Sequence, residues 1–375
     1  MSRFFVGMLM FGMVQGFACT DFLLTDTNKG CVVGRSMEFG TDLESDVVIS
    51  AKGDTYQSIV QGKDGLIWEQ IYDFIGLSAF GNDQFIVDGM NEVGLSFGVL
   101  WLPDAKYPQS SLKDLSCTIA LQDVGSWILG TAATVEEAKA AFTSKVIYPE
   151  VLPQLSMIPP VHFAIHDPSG KSLVVEFTDN RIQIIDNPIS VLTNNPKFDW
   201  HMNNLRNYLN LSANNADTKT LNGIPIIPMG QGSGMIGLPG DSSPPSRFVK
   251  MALLTQCITP ANSSKENVNL AFHLLNSVDI AKGSIQTANE DSDYTQWSVV
   301  KDLQNITLYF RTYDDLNMKS LSLIEFIPNG SQKLDMSDSR VISTRLRTTP
   351  LIRPVSIKEK TPRLLKPTVT THIAL

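Results

Sequence analysis

The chain has 375 residues, 43% of them hydrophobic and 18% charged, with a formal net charge of -8. That is enough chain for one large domain or two moderate ones, and its acidic balance leaves no basic footprint for nucleic acid. Five histidines without metal-ligand spacing argue against a zinc site.

The first residues differ from the rest. Arg3 gives a positive start, residues 4–14 form an apolar run, and Gly16 and Ala18 place small residues just before Cys19. This is the layout of a secretory signal peptide cleaved after Ala18, and the run is too short to span a bilayer. Export to the periplasm or the medium is expected, without stable membrane insertion. The chain thus divides into a signal peptide over 1–18, a domain over 19–345 and a loosely ordered, proline- and base-containing tail over 346–375.

Residues 19–25 and 31–39 are β-prone runs joined by the turn Asp26-Thr27-Asn28-Lys29-Gly30, which predicts a hairpin. Further strands are expected at 47–51, 84–87, 94–99, 162–166, 172–177, 182–185, 190–192, 295–301, 306–312 and 322–326. Thr134-Val135-Glu136-Glu137 is a capping box that opens a helix to about Phe142. Helical spacing recurs over 201–211, 246–257 and 266–278. Residues 230–245, rich in glycine, proline and serine, read as an ordered loop. Strands and helices without a βαβ rhythm indicate a layered α+β domain.

Cleavage after Ala18 would leave Cys19 carrying both a thiol and a free α-amino group. An α-amine has a reference pKa of roughly 8 and can act as a base near neutral pH. A thiol beside such a base becomes a nucleophile without a histidine. The N-terminus alone leaves two other readings open: Cys19 as a lipoprotein acceptor, which bulky Phe17 fits poorly, or as an ordinary residue. If Cys19 stays free, Cys31, Cys117 and Cys257 cannot all pair, and their redox state is undetermined.

Four blocks in order narrow the choice: Gly34-Arg35-Ser36-Met37-Glu38-Phe39; Asp88-Gly89-Met90-Asn91-Glu92-Val93-Gly94-Leu95; Val191-Leu192-Thr193-Asn194-Asn195-Pro196 with Phe198-Asp199-Trp200-His201; and Gly237-Leu238-Pro239-Gly240-Asp241 leading to Ser246-Arg247-Phe248. With Cys19 they resemble the choloylglycine hydrolase family, which includes conjugated bile acid hydrolases and penicillin V acylases, over 19 to about 326. The resemblance is nearer to the exported Gram-negative branch.

That resemblance implies the αββα sandwich of N-terminal-nucleophile hydrolases, two antiparallel sheets between helix layers, and a cysteine amidase that needs no cofactor or metal. It implies Cys19 as nucleophile, Arg35 beside its thiolate, Asn194 as an oxyanion donor and Arg247 as a second active-site arginine. Glu38 stands where the family usually has aspartate and would hold the N-terminal amine. Where the family often has asparagine beyond the second block, Val99-Leu100 leads here to Trp101, whose backbone would serve the oxyanion while Trp101 and Phe39 line an acyl pocket. The expected substrate is a small-molecule amide joining an apolar acyl group to a small polar amine, of the penicillin V, N-acyl-homoserine lactone or conjugated bile salt type, with the first two preferred. A homotetramer is in keeping with the family. The competing reading is an exported, lipid-anchored, non-catalytic ligand-binding protein on the same scaffold.

Overall fold

The structure is a computed structural model that describes residues 18–109, 114–286 and 292–337. The expected signal peptide up to residue 17 and the expected tail lie outside the described residues.

Two antiparallel sheets face each other. The first is built on β1 (Cys19–Thr25), β2 (Cys31–Phe39), β10 (Val191–Leu192), β11 (Ser292–Asp302), β12 (Thr307–Thr312) and β13 (Lys319–Ser322), in the order β10-β1-β2-β11-β12-β13. Ile285–Gln286 adds a short strand to β11. The second contains β3 (Asp46–Ser50), β4 (Phe74–Ala79), β5 (Asn82–Asn91), β6 (Ser96–Trp101), β7 (Val161–His166), β8 (Ser172–Thr178), β9 (Arg181–Asp186) and β14 (Gln332–Asp335), ordered β9-β8-β7-β6-β5-β4-β3-β14. Helices α1 (Val124–Thr131) and α2 (Val135–Ser144) pack on the second sheet. Helices α4 (Pro244–Cys257) and α5 (Ser264–Asn276) pack on the first, and α3 (Phe198–Asn204) touches α4. The expected αββα sandwich is the observed one.

Local chemistry explains the elements that hold the site. Asp26 Oδ1 accepts the amide protons of Asn28 and Gly30 at 2.8 and 2.7 Å, which closes the β1–β2 hairpin in the expected turn. Both strands are buried almost throughout, as a sheet between two layers requires. Thr134 caps α2 through the Glu137 amide at 3.2 Å, and the Glu137 carboxylate returns to the Ala133 amide at 2.8 Å. Aromatic side chains of α1, α2 and the second sheet interlock, with Trp127, Phe142 and Phe163 in ring contact.

Three expectations need correction. The strand expected over 322–326 is the end of β13 followed by a helical turn at Leu323–Phe326, because the Leu323 amide turns to the Ile306 carbonyl. The helix expected over 201–211 starts earlier, at Phe198, and tightens to a 3₁₀ turn over Leu205–Tyr208. The Glu176 carboxylate, from β8, holds the Phe198 amide at 2.9 Å, a partner the local sequence does not reveal. Helix α1 was not expected: seven of its eight residues are buried, so it has no polar face to set a period. The loop over 230–245 is ordered as expected, with the Ser212 amide bonded to the Gly234 carbonyl and the Ala216 amide to Ser233 Oγ. Beside it the hairpin Lys219–Leu221/Ile224–Ile226 exposes Leu221, Ile224, Ile227 and Met229. Among the described residues no helix is long and apolar enough to cross a membrane.

Candidate active site

The register of the first hairpin decides what surrounds Cys19. Cys19 pairs with Met37 and Asp21 with Arg35, so these side chains share the face of β1 and β2 that looks into the space between the sheets. Thr20, Ser36 and Glu38 alternate to the opposite face, below α4. Gly34 is required here, because a Cβ would sit 2.4 Å from the Phe22 ring.

On the inner face Arg35 Nη2 lies 3.6 Å from Cys19 Sγ and donates to the Val99 carbonyl of β6. Met37 Sδ is 3.7 Å from Cys19 Sγ. On the outer face Arg247, in the first turn of α4, reaches back with Nη1 to the Cys19 carbonyl and to Thr20 Oγ1, and with Nη2 to Asn194 Oδ1 at 2.7 Å. A cation at a helix start is opposed by the helix dipole. The turn tolerates it because Arg247 Nε donates to the Ser242 carbonyl at 2.9 Å, and Asp241 braces the turn through the Ser243 amide and Ser246 hydroxyl. The fourth sequence block is thus the bracket that aims Arg247.

The nitrogen of Cys19, in peptide linkage to Ala18, donates to Asn194 Oδ1 at 2.5 Å, while Asn194 Nδ2 donates to the Trp101 carbonyl at 2.8 Å. Arg247 has only donors, so its contact fixes which end of the Asn194 amide faces Cys19. One proton of Nδ2 is thereby engaged by the Trp101 carbonyl. Two histidines carry this segment. His162 Nε2 holds the Thr193 carbonyl and His201 Nε2 the Asn194 carbonyl, each at 2.9 Å. Burial pushes the His201 ring down to about 4, so it is neutral near pH 7 and its Nε2–H donates.

Burial raises the Cys19 thiol above its ordinary value; Arg35 and Arg247 pull it back, and Glu38 adds to the rise. Burial also pushes Glu38 up to about 7, against the pull of Arg247 and Arg35 and hydrogen bonds that include one from the Thr295 hydroxyl. Glu38 Oε2 has no hydrogen-bond partner. The carboxyl therefore acts on Cys19 electrostatically, and in this chain the Cys19 nitrogen is held by Asn194.

Phe39 and Trp101 meet edge to face, with ring centroids 5.7 Å apart. With Leu43, Phe80, Phe85 and Leu155 they line a pocket of about 420 Å³ that ends at Cys19. A second cleft, of about 980 Å³, lies beside Ala18 and is edged by Asn194, Asn195, Ser242, Ser243, Ser284 and Asp293. The first is almost wholly apolar and ends at Cys19, whereas the second mixes these polar side chains with Ala18, Pro103, Pro244 and Ile285. Among the described residues no group of three or more His, Cys, Asp or Glu side chains is arranged for a metal ion, and all four cysteines are free thiols.

All seven residues expected from the sequence, Cys19, Arg35, Glu38, Phe39, Trp101, Asn194 and Arg247, lie around this one place. Met37, Thr20, Thr295, His162 and the Asp88 carboxylate behind Arg35 were missed. Met37 had a local signal, its two-residue offset from Arg35 along a strand, and Asp88 opens the second sequence block. The rest of that block is architectural: Asn91 ties the Leu95 amide to the Leu129 and Ala132 carbonyls across a turn in which Gly94 has φ +86°.

Residues 19–339 match the family described as linear amide C–N hydrolases, choloylglycine hydrolase family. The chain is 34% identical over 259 residues to a bile salt hydrolase/transferase of Clostridium perfringens, covering 67% of this chain and 77% of that one. It is 24% identical over 357 residues to a penicillin V acylase of Pectobacterium atrosepticum, covering 88% and 89%. A crystal structure of a variant conjugated bile acid hydrolase from Clostridium perfringens superimposes with a TM-score of 0.75 at 27% identity, covering 84% of this chain and 97% of that one.

Proposed function

The chain belongs to the choloylglycine hydrolase family of linear amide C–N hydrolases, and from that premise we propose that it is an exported amidase whose nucleophile is Cys19, freed by cleavage after Ala18. The observation that carries the reading is convergence: two arginines, an asparagine amide and the end of an apolar pocket all address one cysteine. In the cleaved chain the α-amine of Cys19 takes the thiol proton, and Sγ attacks the amide carbonyl. The free Nδ2 proton of Asn194 and the backbone at Trp101 receive the oxyanion. The protonated amine returns its proton to the leaving nitrogen, and water then releases the acid from the thioester. Arg35 stabilises the thiolate from the inner face, Arg247 secures the Cys19 main chain from the outer one, and Glu38 stands by the new ammonium.

The apolar pocket favours an unhydroxylated acyl group of the penicillin V or N-acyl-homoserine lactone type over a hydroxylated steroid, whose polar groups would be buried without partners. The second cleft offers Asn195, Ser242, Ser243 and Asp293 to a small polar amine. A lipid-anchored binder is disfavoured because Cys19 is only 2% exposed and its sulfur faces the pocket. Self-association belongs to the same proposal, since Leu221, Ile224, Ile227 and Met229 offer an exposed apolar surface to a second copy. The test is an intact-mass measurement of exported protein together with hydrolysis assays on the three amide classes. An unmodified N-terminal Cys19 with turnover of the unhydroxylated acyl amides supports the reading. A blocked or different N-terminus overturns the mechanism, and a preference for bile salts overturns the substrate.

A further inference from the structure

The layer between two packed sheets is ordinarily apolar, yet here it contains a chain of buried charges. Lys301 of β11 lies 2.8 Å from both carboxylate oxygens of Asp88, and Asp88 Oδ2 lies 3.4 Å from Arg35 Nε. All three side chains are fully buried. Arg35 and Lys301 come from the first sheet and Asp88 from β5 of the second, so the ion cluster crosses from one sheet to the other. Neighbouring Gly98 on β6 has no side chain to intrude. A Cβ there would lie 3.3 Å from Arg35 Nη1, Asp88 Oδ2 and Asp21 Oδ2.

Buried ion clusters are weak contributors to stability, because desolvation cancels much of the attraction. What this one supplies is direction. We infer that Asp88, itself held by Lys301, is a positioning residue that fixes the Arg35 guanidinium against Cys19 Sγ, an assignment that rests on reading Cys19 as the nucleophile. Arg35 has one end on Asp88 and the other, Nη2, on the sulfur and the Val99 carbonyl. Neither Nε nor Nη1 of Arg35 makes a hydrogen bond, so the 3.4 Å ion pair of Nε with Asp88 is what holds the guanidinium from behind. Lys301 engages both Asp88 oxygens and so keeps Asp88 from neutralising Arg35 alone, which leaves positive charge facing the thiol. The other charged groups around this cluster are Asp21, paired with His166 at 2.6 Å, on the sheet-facing side, and Glu38 and Arg247 on the far face of β2.

The test is the pH dependence of iodoacetamide alkylation at Cys19, followed by mass on the processed protein, with kcat/KM on the best amide substrate. Asp88→Asn should lower kcat/KM about 10- to 100-fold, as a misplaced catalytic group does. It should also move the alkylation midpoint upward, because the guanidinium leaves the sulfur. Simple removal of a negative charge would move it downward. Arg35→Met should shift it at least as far, and Arg35→Met/Asp88→Asn should match Arg35→Met alone, whereas Asp88→Glu should recover most of the rate. A downward or absent shift in Asp88→Asn, or effects that add in full in the double variant, overturns the assignment. If Asp88→Asn does not fold, Asp88→Leu/Lys301→Met removes the tether while keeping the net charge of the cluster, and a wild-type alkylation profile in that protein overturns it equally. Alkylation needs no substrate, so failure of the underlying reading is seen separately, as turnover that survives Cys19→Ala.

Discussion

On the inner face of β2, Arg35, Met37 and Phe39 meet the second sheet and form the wall of an apolar pocket. On the outer face, Glu38 lies between Thr295 and Arg247 under a helix. The inner face brings a cation to the sulfur of Cys19, and the outer face brings a raised carboxyl and a second cation to its main chain. One strand serves both ends of a single residue because its side chains alternate at every step. The difference teaches that thiol and amine are handled by separate surroundings, so changes on the two faces should have different signatures.

The largest effect should come from the residue both faces address. Cys19→Ala should leave no turnover above background with the circular dichroism of the wild type, and residual turnover would remove the nucleophile from this site. Asn194→Ala, which takes away the proposed oxyanion donor, should reduce kcat about 10²- to 10³-fold with a smaller change in KM. A rise in KM alone would make Asn194 a binding residue. On the inner face, Trp101→Ala should lower kcat/KM for short apolar acyl groups about 10- to 100-fold and leave selectivity for the amine unchanged, read from a matrix of acyl and amine variants.

The outer face predicts the smallest effect, in stability rather than rate. The Glu38 carboxyl is raised from 4.5 to about 7 in the fold with the 18–19 bond intact. A group raised on folding contributes stability that is complete below its unfolded value and is lost as pH climbs through its folded one. Relative to Glu38→Gln, the uncleaved protein should therefore weaken between about pH 5 and pH 8, by on the order of 1–3 kcal/mol in urea unfolding. A difference that stays flat with pH would mean that the carboxyl is ionised throughout and the outer face holds no poised proton.

Much of the site was legible because its parts announce themselves locally. A cysteine after a signal-like start can be read from the residues alone, and the family resemblance then implied the arginine sixteen residues on and the asparagine of the Asn-Asn-Pro turn. The Glu38 environment was not legible: its neighbours Thr295 and Arg247 lie more than two hundred residues away along the chain. The same holds for the end of β13, where a backbone bond to Ile306 turned an expected strand into a helical turn.

By itself the amino-acid sequence determined the hairpin that carries Cys19 and Arg35, the capped helices, the layered fold class and the family. The hairpin, the helices and the fold class depend on short-range periodicity and turn chemistry, and the family on the resemblance carried by four motif blocks in order. Only the tertiary structure decided that Asn194 holds the Cys19 nitrogen, that Asp88 reaches Arg35 across two sheets, and that an apolar pocket ends at Cys19. Hydrogen bonds and charges act over a few ångströms in space, and packing chooses which distant residues come within that range.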